Sequence, residues 1–235
     1  FGPAAAGATP DYFRGIRTMP ILFSPINPRK LYYGTNVVWQ TVNGGKSWTR
    51  LSGDLSRETW EVPASVGKYI GTPAARPTRR GVVYTIAPSP VDSNTVWAGT
   101  DDGLIHVTRD GARTWRNVTP PQIGPWWKVS IMDASHFDAG TAYAAVNTIR
   151  LDDLRPHIYR TRDGGKTWTA ITAGLPDGGV INVVREDPKR RGLLFARTVA
   201  LAHGAHRAED KIAARWILDA VFGVPSAKRG EALPK

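Results

Sequence analysis

The chain has 235 residues, of which 41% are hydrophobic and 22% are charged, a composition typical of a globular domain. No apolar run is long enough to span a membrane, and the lack of cysteine excludes disulfides and thiolate metal sites. The formal net charge of +11 would suit a nucleic-acid partner, but lysine and arginine are scattered and no nucleic-acid-binding motif accompanies them. We therefore expect neither a membrane span nor a nucleic-acid partner.

The chain begins with a segment rich in glycine, alanine and proline, residues 1–18, which is interpreted as a connecting segment. A first unit of four short strands is predicted at 19–52. It contains a turn at Ser24–Pro28, because proline fixes φ and asparagine tolerates tight bends. The following stretch, Gly53–Arg80, shows no period and is predicted to be a long surface loop.

Two more complete units and the start of another follow. Four strands each are predicted within 82–119 and 127–172, and a further unit opens at 180–196. The pattern is then lost abruptly, because Arg197-Thr198 stands where the second unit has Gly99-Thr100.

The tail, 201–235, differs in composition from the rest and leaves two interpretations open. Apolar residues at Ile212, Trp216 and Ala220 fall on one stripe of a helix, which predicts a docking helix over Ala208–Phe222. The alternative is a sequence that has left the frame of the repeat, since no fourth copy of the turn pattern follows.

An eight-residue pattern closes each of the first three units, as Thr41–Trp48, Thr108–Trp115 and Thr161–Trp168. Each threonine is followed two residues later by Asn or Asp, then by glycine and by Ser/Thr-Trp. Glycine takes the positive φ of a hairpin turn, the Asn or Asp side chain accepts backbone hydrogen bonds, and tryptophan supplies apolar surface. Three copies in phase with the strands indicate a repeat architecture.

The second copy departs from the pattern at one position. Ala112 stands where the other copies have glycine. A left-handed backbone at this position would cost alanine about 1 kcal/mol, and we therefore expect this turn to be distorted.

These octets resemble the Asp-box, or BNR repeat, of sialidases, xyloglucanase-type glycoside hydrolases and sortilin-like propellers. The stretch from Met19 to about Ala196 is similar to bacterial BNR-repeat proteins, and four other segments carry the likeness: Pro20–Pro25, Tyr33–Thr35, Ser52–Arg57 and Pro121–Val129. The resemblance implies an all-β fold, a partial β-propeller of four-stranded antiparallel blades, with about three blades and the start of a fourth.

An incomplete propeller would expose an apolar face at each terminal blade. We therefore expect the chain to be a piece of a longer protein, with the remaining blades as its partners, and to express poorly or associate when made alone. The resemblance also implies an extracytoplasmic setting. Two functions stay open: a non-catalytic, sortilin-like module that binds a glycan or a peptide, and a glycoside hydrolase of xyloglucanase or sialidase type.

Glycoside hydrolysis needs two carboxyl groups. Xyloglucanase-type hydrolases carry a catalytic base in a Thr-Asp-x-Gly stretch, and the similar stretch Thr100–Gly103 makes Asp101 the candidate. The first unit has Asn36 at the same position, so a generic structural role is the alternative. The second carboxylate would lie outside the chain or be one of four residues: Asp133, Asp138, Asp152 or Asp153. No spacing singles out the three arginines that a sialidase would need.

The best candidates for ligand contact are Trp126 and Trp127, adjacent aromatics that could stack on sugar rings. The alternative is that one of them belongs to the core and the other covers the channel mouth. Trp60 is a further candidate. The octet residues are assigned a structural role: Asn43, Trp48, Asp110, Trp115, Asp163 and Trp168. No cofactor or metal is expected, since only His203 and His206 are close in sequence and no acidic ligand supports them.

Overall fold

The computed structural model describes residues 2–7, 13–59, 79–175, 177–200 and 216–217. Within these residues, four antiparallel sheets follow one another along the chain. Two short 3-10 turns, Pro3–Ala6 and Ile149–Leu151, complete the regular structure of this part of the chain.

The first three sheets are four-stranded meanders, and each is one blade. Blade 1 consists of β1 (Ile21–Phe23), β2 (Leu31–Gly34), β3 (Val38–Thr41) and β4 (Thr49–Arg50). Blade 2 consists of β5 (Val83–Pro88), β6 (Val96–Thr100), β7 (Ile105–Thr108) and β8 (Arg116–Asn117). Blade 3 consists of β9 (Lys128–Ala134), β10 (Ala142–Asn147), β11 (His157–Thr161) and β12 (Thr169–Ala170).

Blade 4 has three strands in the described residues, β13 (Gly179–Glu186), β14 (Leu194–Ala200) and β15 (Trp216–Ile217). The all-β propeller prediction is confirmed, and β14 continues beyond Ala196, where the sequence pattern is lost. The helix considered for the tail is wrong at Trp216 and Ile217, which pair with Ala196 and Phe195 as a strand. The rest of 201–235, with His203 and His206, lies outside the described residues, as does Trp60.

The hydrophobic core lies between blades rather than within one central cluster. Its largest part joins blades 2 and 3 around the fully buried side chains Trp97, Ile105 and Met132. A second cluster joins blades 3 and 4, and a third joins blades 1 and 2. Each blade is therefore stabilised mainly by burying apolar area against its neighbours.

Because each blade is a meander, its connections alternate between two ends. The turns that join first to second and third to fourth strands form one end, called here the turn face, with residues 24–30, 42–48, 89–95, 109–115, 135–141, 162–168 and 187–193. The turns that join second to third strands and the links between blades form the other end, called the loop face, with residues 35–37, 51–59, 79–82, 101–104, 118–127, 148–156 and 171–178 except 176.

The octet turns repeat one hydrogen-bonding scheme on the turn face. In the third copy, Asp163 Oδ1 accepts from the Thr167 N–H at 2.9 Å, and the Thr161 hydroxyl accepts from the Gly165 N–H at 2.9 Å. The corresponding distances are 3.0 and 3.0 Å in the first copy and 3.0 and 3.0 Å in the second. Asn43 makes the first copy's bond with an amide oxygen, so this scheme does not require a carboxylate.

The expected distortion of the second turn is wrong, although the unusual backbone is present. Ala112 has φ 73°, close to the 85° of Gly165 at the same position, and keeps the same bond to Thr108. A Cβ on Gly165 would lie 2.6 Å from Val118. The second turn therefore tolerates alanine at the cost of backbone strain, whereas the third would also meet a clash.

Two of the octet tryptophans join their blade to the blade before it. Trp115 donates from Nε1 to the Leu51 carbonyl at 2.9 Å, and Trp168 donates to the Val118 carbonyl at 2.7 Å. Both acceptors directly follow the outermost strand of the preceding blade. Trp48 instead packs edge-on against Tyr33 of its own blade, with ring centroids 5.6 Å apart.

The two octet carboxylates make an acid-dependent contribution to stability. Hydrogen bonds from Thr114 lower the pKa of Asp110 from 3.8 to about 2, and Thr167 lowers the pKa of Asp163 equally. A pKa that is lowered in the folded state stabilises the protein at pH values above the pKa of the unfolded chain, and this stabilisation is lost as the pH falls through the folded-state pKa.

The double variant Asp110→Asn with Asp163→Asn should therefore keep the fold at pH 7, as Asn43 does in the first turn. It should also flatten the fall in melting temperature between pH 3.8 and about 2; an unchanged fall would contradict this account.

Candidate functional site

A pair of buried aspartates lies where the second blade reaches the loop face. Asp101 and Asp102 follow β6 directly and are 9% and 2% exposed. Gly103 next to them has φ 91°, and a Cβ there would lie 2.5 Å from the Gly124 carbonyl oxygen. Glycine is required here because the aspartate turn packs closely against the 118–127 link between blades 2 and 3.

Each of these aspartates is fixed by backbone donors. Asp101 Oδ1 accepts from the Val82 N–H at 2.8 Å. Asp102 accepts from the Thr100 hydroxyl at 2.5 Å and from the Arg57 N–H at 2.8 Å. Arg57 also donates from Nε to the Asp102 carbonyl at 2.8 Å, so the link from blade 1 is tied to the same turn.

Burial shifts the protonation of both carboxyl groups in the same direction. Burial raises the pKa of Asp101. The hydrogen bond from the Val82 N–H lowers this pKa, and the nearby negative charge of Asp102 raises it. Burial also raises the pKa of Asp102, opposed by the bonds from Thr100 and Arg57. A raised pKa lies closer to neutral pH, which suits a carboxyl group to act as a general base or a general acid.

Trp126 lies beside this turn in a strained backbone conformation. Its φ is 65°, which is rare for a bulky residue, and its N–H donates to the Asp102 carbonyl at 3.0 Å. Its own carbonyl accepts from Arg150 Nε at 3.1 Å, and the Arg150 guanidinium lies 5.0 Å from the indole centroid. Arg150 also donates to the Asp101 carbonyl. A residue of blade 3 thus holds a half-buried indole in place at the loop face.

The neighbouring Trp127 has a different environment. It packs against the core cluster of blades 2 and 3, and its ring lies 4.7 Å from that of His157. Of the two adjacent indoles, Trp127 therefore packs towards the core of blades 2 and 3, whereas Trp126 lies at the loop face. The structure brings Trp126 and Asp101 together through Asp102 and Arg150.

The candidate partners of Asp101 lie in three different settings. Asp133 and Asp138 belong to the turn-face end of blade 3, the length of a strand away, and a six- or seven-residue strand spans about 20 Å. Asp153 is on the loop face, but its carboxylate binds Arg155 at 2.8 Å and His157 at 3.1 Å. Asp152 is on the loop face and exposed, with φ 58°.

The innermost strands of all four blades line an open axial groove. One section of it has a volume of ≈ 450 Å³ and is lined by residues of β1, β5, β9 and β13, including Tyr84, Lys128 and Asn182. Lys128 Nζ lies 4.7 Å from the Tyr84 ring centroid. Asn182 accepts a hydrogen bond from Asn147, at the loop-face end of β10. The groove and the loop face are therefore joined by polar side chains.

The sequence did not single out Arg150, Arg57 or Asp102. Asp102 stands in the stretch that identified Asp101, and Arg57 ends one of the segments that carry the resemblance, but nothing in the chain marks Arg150. In the described ranges, no three His, Asp or Glu side chains converge on a point where a metal ion could be held. The helical turns of the same ranges are all too short or too polar to cross a membrane.

The described sheets define a β-propeller made of antiparallel blades, and solved structures agree. An ancestral GH74 enzyme matches with a TM-score of 0.51 and 19% identity, over 79% of this chain and 23% of that one. The Cps50 (Swd1) β-propeller domain of Myceliophteria thermophila matches with a TM-score of 0.51 and 9% identity, over 81% of this chain and 51% of that one. At these identities the likeness concerns the fold.

A curated protein gives a likeness in sequence as well. The oligoxyloglucan-reducing end-specific xyloglucanase of Emericella nidulans is 36% identical over 95 residues, which covers 37% of this chain and 10% of the relative. No family model matches the chain. The chain is thus a β-propeller protein with similarity to xyloglucanases, and it spans about a tenth of the length of its curated relative.

Proposed function

We propose that these blades bind a β-glucan chain at the loop face, as a carbohydrate-binding part of a propeller protein. The observation that carries this proposal is the strained, half-buried Trp126, clamped between the Asp102 carbonyl and Arg150. Strain of this kind is retained where the surrounding structure over-determines it, and it concentrates at ligand sites. An indole fixed in this way can stack on a sugar ring at a low entropic cost.

A comparison with a known protein supports the kind of glycan that we propose. The curated relative acts on oligoxyloglucan, according to its name, and its likeness to this chain extends over 95 residues. We therefore expect xyloglucan oligosaccharides to bind in preference to unrelated neutral glycans such as mannan. A location outside the cytoplasm belongs to the same proposal, because polymeric glycans do not enter cells.

Trp126→Ala tests the site. Loss of one stacked indole should weaken the binding of xyloglucan oligosaccharides about tenfold, measured by isothermal titration calorimetry. Phe23→Ala is the matched control, because Phe23 is an aromatic side chain 63% exposed at the turn-face end of blade 1. Equal binding by both variants and the unchanged protein, or preferential capture of peptides, would contradict the proposal.

A second candidate function is glycoside hydrolysis, favoured by the raised pKa of the buried Asp101 carboxyl. Among the four candidate partners of Asp101, Asp152 is the exposed one on the same face that would accompany it. Asp101→Asn in the longest natural form of the protein separates the two functions. Loss of reducing-end release from xyloglucan would favour hydrolysis, whereas unchanged release, or none in the parent protein, would eliminate it.

A further inference from the structure

A second cavity lies at the outer rim, between blades 1 and 2, and its lining does not include Asp101, Asp102 or Trp126. Its volume is ≈ 550 Å³, within the usual range of ligand pockets. Residues 50–55 of blade 1 form one wall. Blade 2 forms the other with His106, Ala112, Arg113, Trp115 and Asn117. The Trp115–Leu51 hydrogen bond ties these walls together.

The repeat shows that the imidazole of this cavity is specific to blade 2 among the first three blades. Strand register places His106 opposite Asn117, at the position of the pairs Trp39–Arg50 in blade 1 and Tyr159–Ala170 in blade 3. Two blades therefore have a large aromatic ring here, and both rings are buried. Among these three blades, blade 2 alone has an imidazole at this position, His106, and it faces the amide of Asn117.

His106 is a buried polar group whose bonding is incomplete in the described residues. It is 9% exposed, and its Nδ1 has no hydrogen-bond partner in that part of the chain. Burial lowers the pKa of His106 to about 4, so the ring is neutral at pH 7 and one nitrogen is an acceptor. The torsion about the Cβ–Cγ bond of His106 has two broad minima, and rotation between them exchanges the positions of the two edges of the imidazole ring.

Two other polar side chains of the cavity, Asn117 and Arg113, can donate hydrogen bonds. Asn117 Oδ1 accepts from the Thr119 N–H and hydroxyl, at 3.0 and 2.6 Å, so its NH2 group is left to donate. The exposed Arg113 side chain adds a guanidinium. Asp54 also lines the cavity, but its carboxylate is held by Arg14 at 2.6 Å and Arg79 at 3.4 Å.

We propose that the cleft between blades 1 and 2 binds a hydroxylated carboxylate of the size of one uronic acid. Arg113 and Asn117 bind the carboxylate, and His106 accepts a hydrogen bond from a hydroxyl group. The same chemistry occurs in a free sugar acid and at the end of an acidic glycan. This site is independent of the glycan surface at Trp126.

D-glucuronate, with D-glucose and acetate as controls, tests the proposal in calorimetric or NMR titrations at pH 7. We expect saturable binding of glucuronate alone and a shift of the His106 ring signals. A comparison with an acidic oligosaccharide that ends in glucuronate distinguishes the two sources, because a terminal-residue site should bind the oligosaccharide more tightly. Absence of a saturable response into the millimolar range would overturn the proposal.

Three variants separate recognition from folding. His106→Tyr introduces the residue that blade 3 has at this position, so the melting temperature should hold while affinity falls about tenfold. Arg113→Gln should weaken binding similarly. Lys166 has the octet position of Arg113 in blade 3 and lines the equivalent cleft of ≈ 560 Å³, which has no imidazole in its lining. Lys166→Gln therefore removes a comparable charge and should leave the affinity unchanged. Equal losses in Arg113→Gln and Lys166→Gln, or full affinity in His106→Tyr, would refute the site.

Discussion

Trp168→Ala should lower the free energy of unfolding by about 3–5 kcal/mol, the usual cost of deleting a large aromatic side chain from a packed region. The indole packs against the core of blades 2 and 3, lies 6.0 Å from the Trp97 ring, and donates to the Val118 carbonyl at 2.7 Å. Removing it therefore opens a cavity and frees a carbonyl at one junction. Urea unfolding followed by circular dichroism measures the change.

Two controls divide this effect into its parts. Trp168→Phe keeps an aromatic ring but lacks the N–H, so the loss of the bond to Val118 should cost about 1 kcal/mol beyond any change in packing. Phe23→Ala removes a ring that is 63% exposed and should change the stability by less than about 0.5 kcal/mol. If Trp168→Ala were as mild as Phe23→Ala, the indole would not be an anchor between blades.

Glu186→Ala should be comparably damaging, by about 3 kcal/mol or more, because several buried donors would lose their acceptor together. Glu186 is 3% exposed and ends β13 in blade 4. Its carboxylate accepts from the Ser135 hydroxyl at 2.6 Å, the His136 N–H at 3.0 Å, the Tyr143 hydroxyl at 3.0 Å and the Gly192 N–H at 2.9 Å. Three of these four donors belong to blade 3, so the change should separate blades 3 and 4 first.

The matched control for Glu186 is another glutamate with little burial. Glu58 pairs with Arg79 at 3.3 Å, but its side chain is 88% exposed. Such pairs contribute about 0–1 kcal/mol, and Glu58→Ala should be nearly neutral. Hydrogen exchange of the amides in β13 and β10 would locate the loss; uniform protection in the Glu186 variant would contradict the assignment to this junction.

The local features of the fold could be predicted from the sequence because they depend on nearby residues. Four strands were predicted in each of three units, and the turn chemistry around Asn43, Asp110 and Asp163 predicted where their outer hairpins fall. Even Ala112 was recognised as an unfavourable residue for its backbone. The turn stays undistorted because of its hydrogen bonds to Thr108, and the sequence pattern does not show how strong these bonds are.

The junctions and the site could not be predicted in the same way. Glu186 and His106 acquire their roles from the register of one blade on the next, and no local spacing encodes that register. Arg150 stands 24 residues from Trp126 in the chain, yet it holds that indole in place. For His106 a signal was present in the sequence, since aligning the three units on their octets places it with Trp39 and Tyr159.

The direction of the tryptophan contacts has a consequence for biosynthesis. The indole N–H groups of Trp115 and Trp168 both donate to the blade that is synthesised before their own, and neither donates to the blade that is synthesised after it. A ribosome releases the acceptor carbonyl first and the indole 64 residues later for Trp115 and 50 residues later for Trp168. Assembly can therefore advance from the N-terminus, since the octets of blades 2 and 3 each fix the blade that has already left the ribosome.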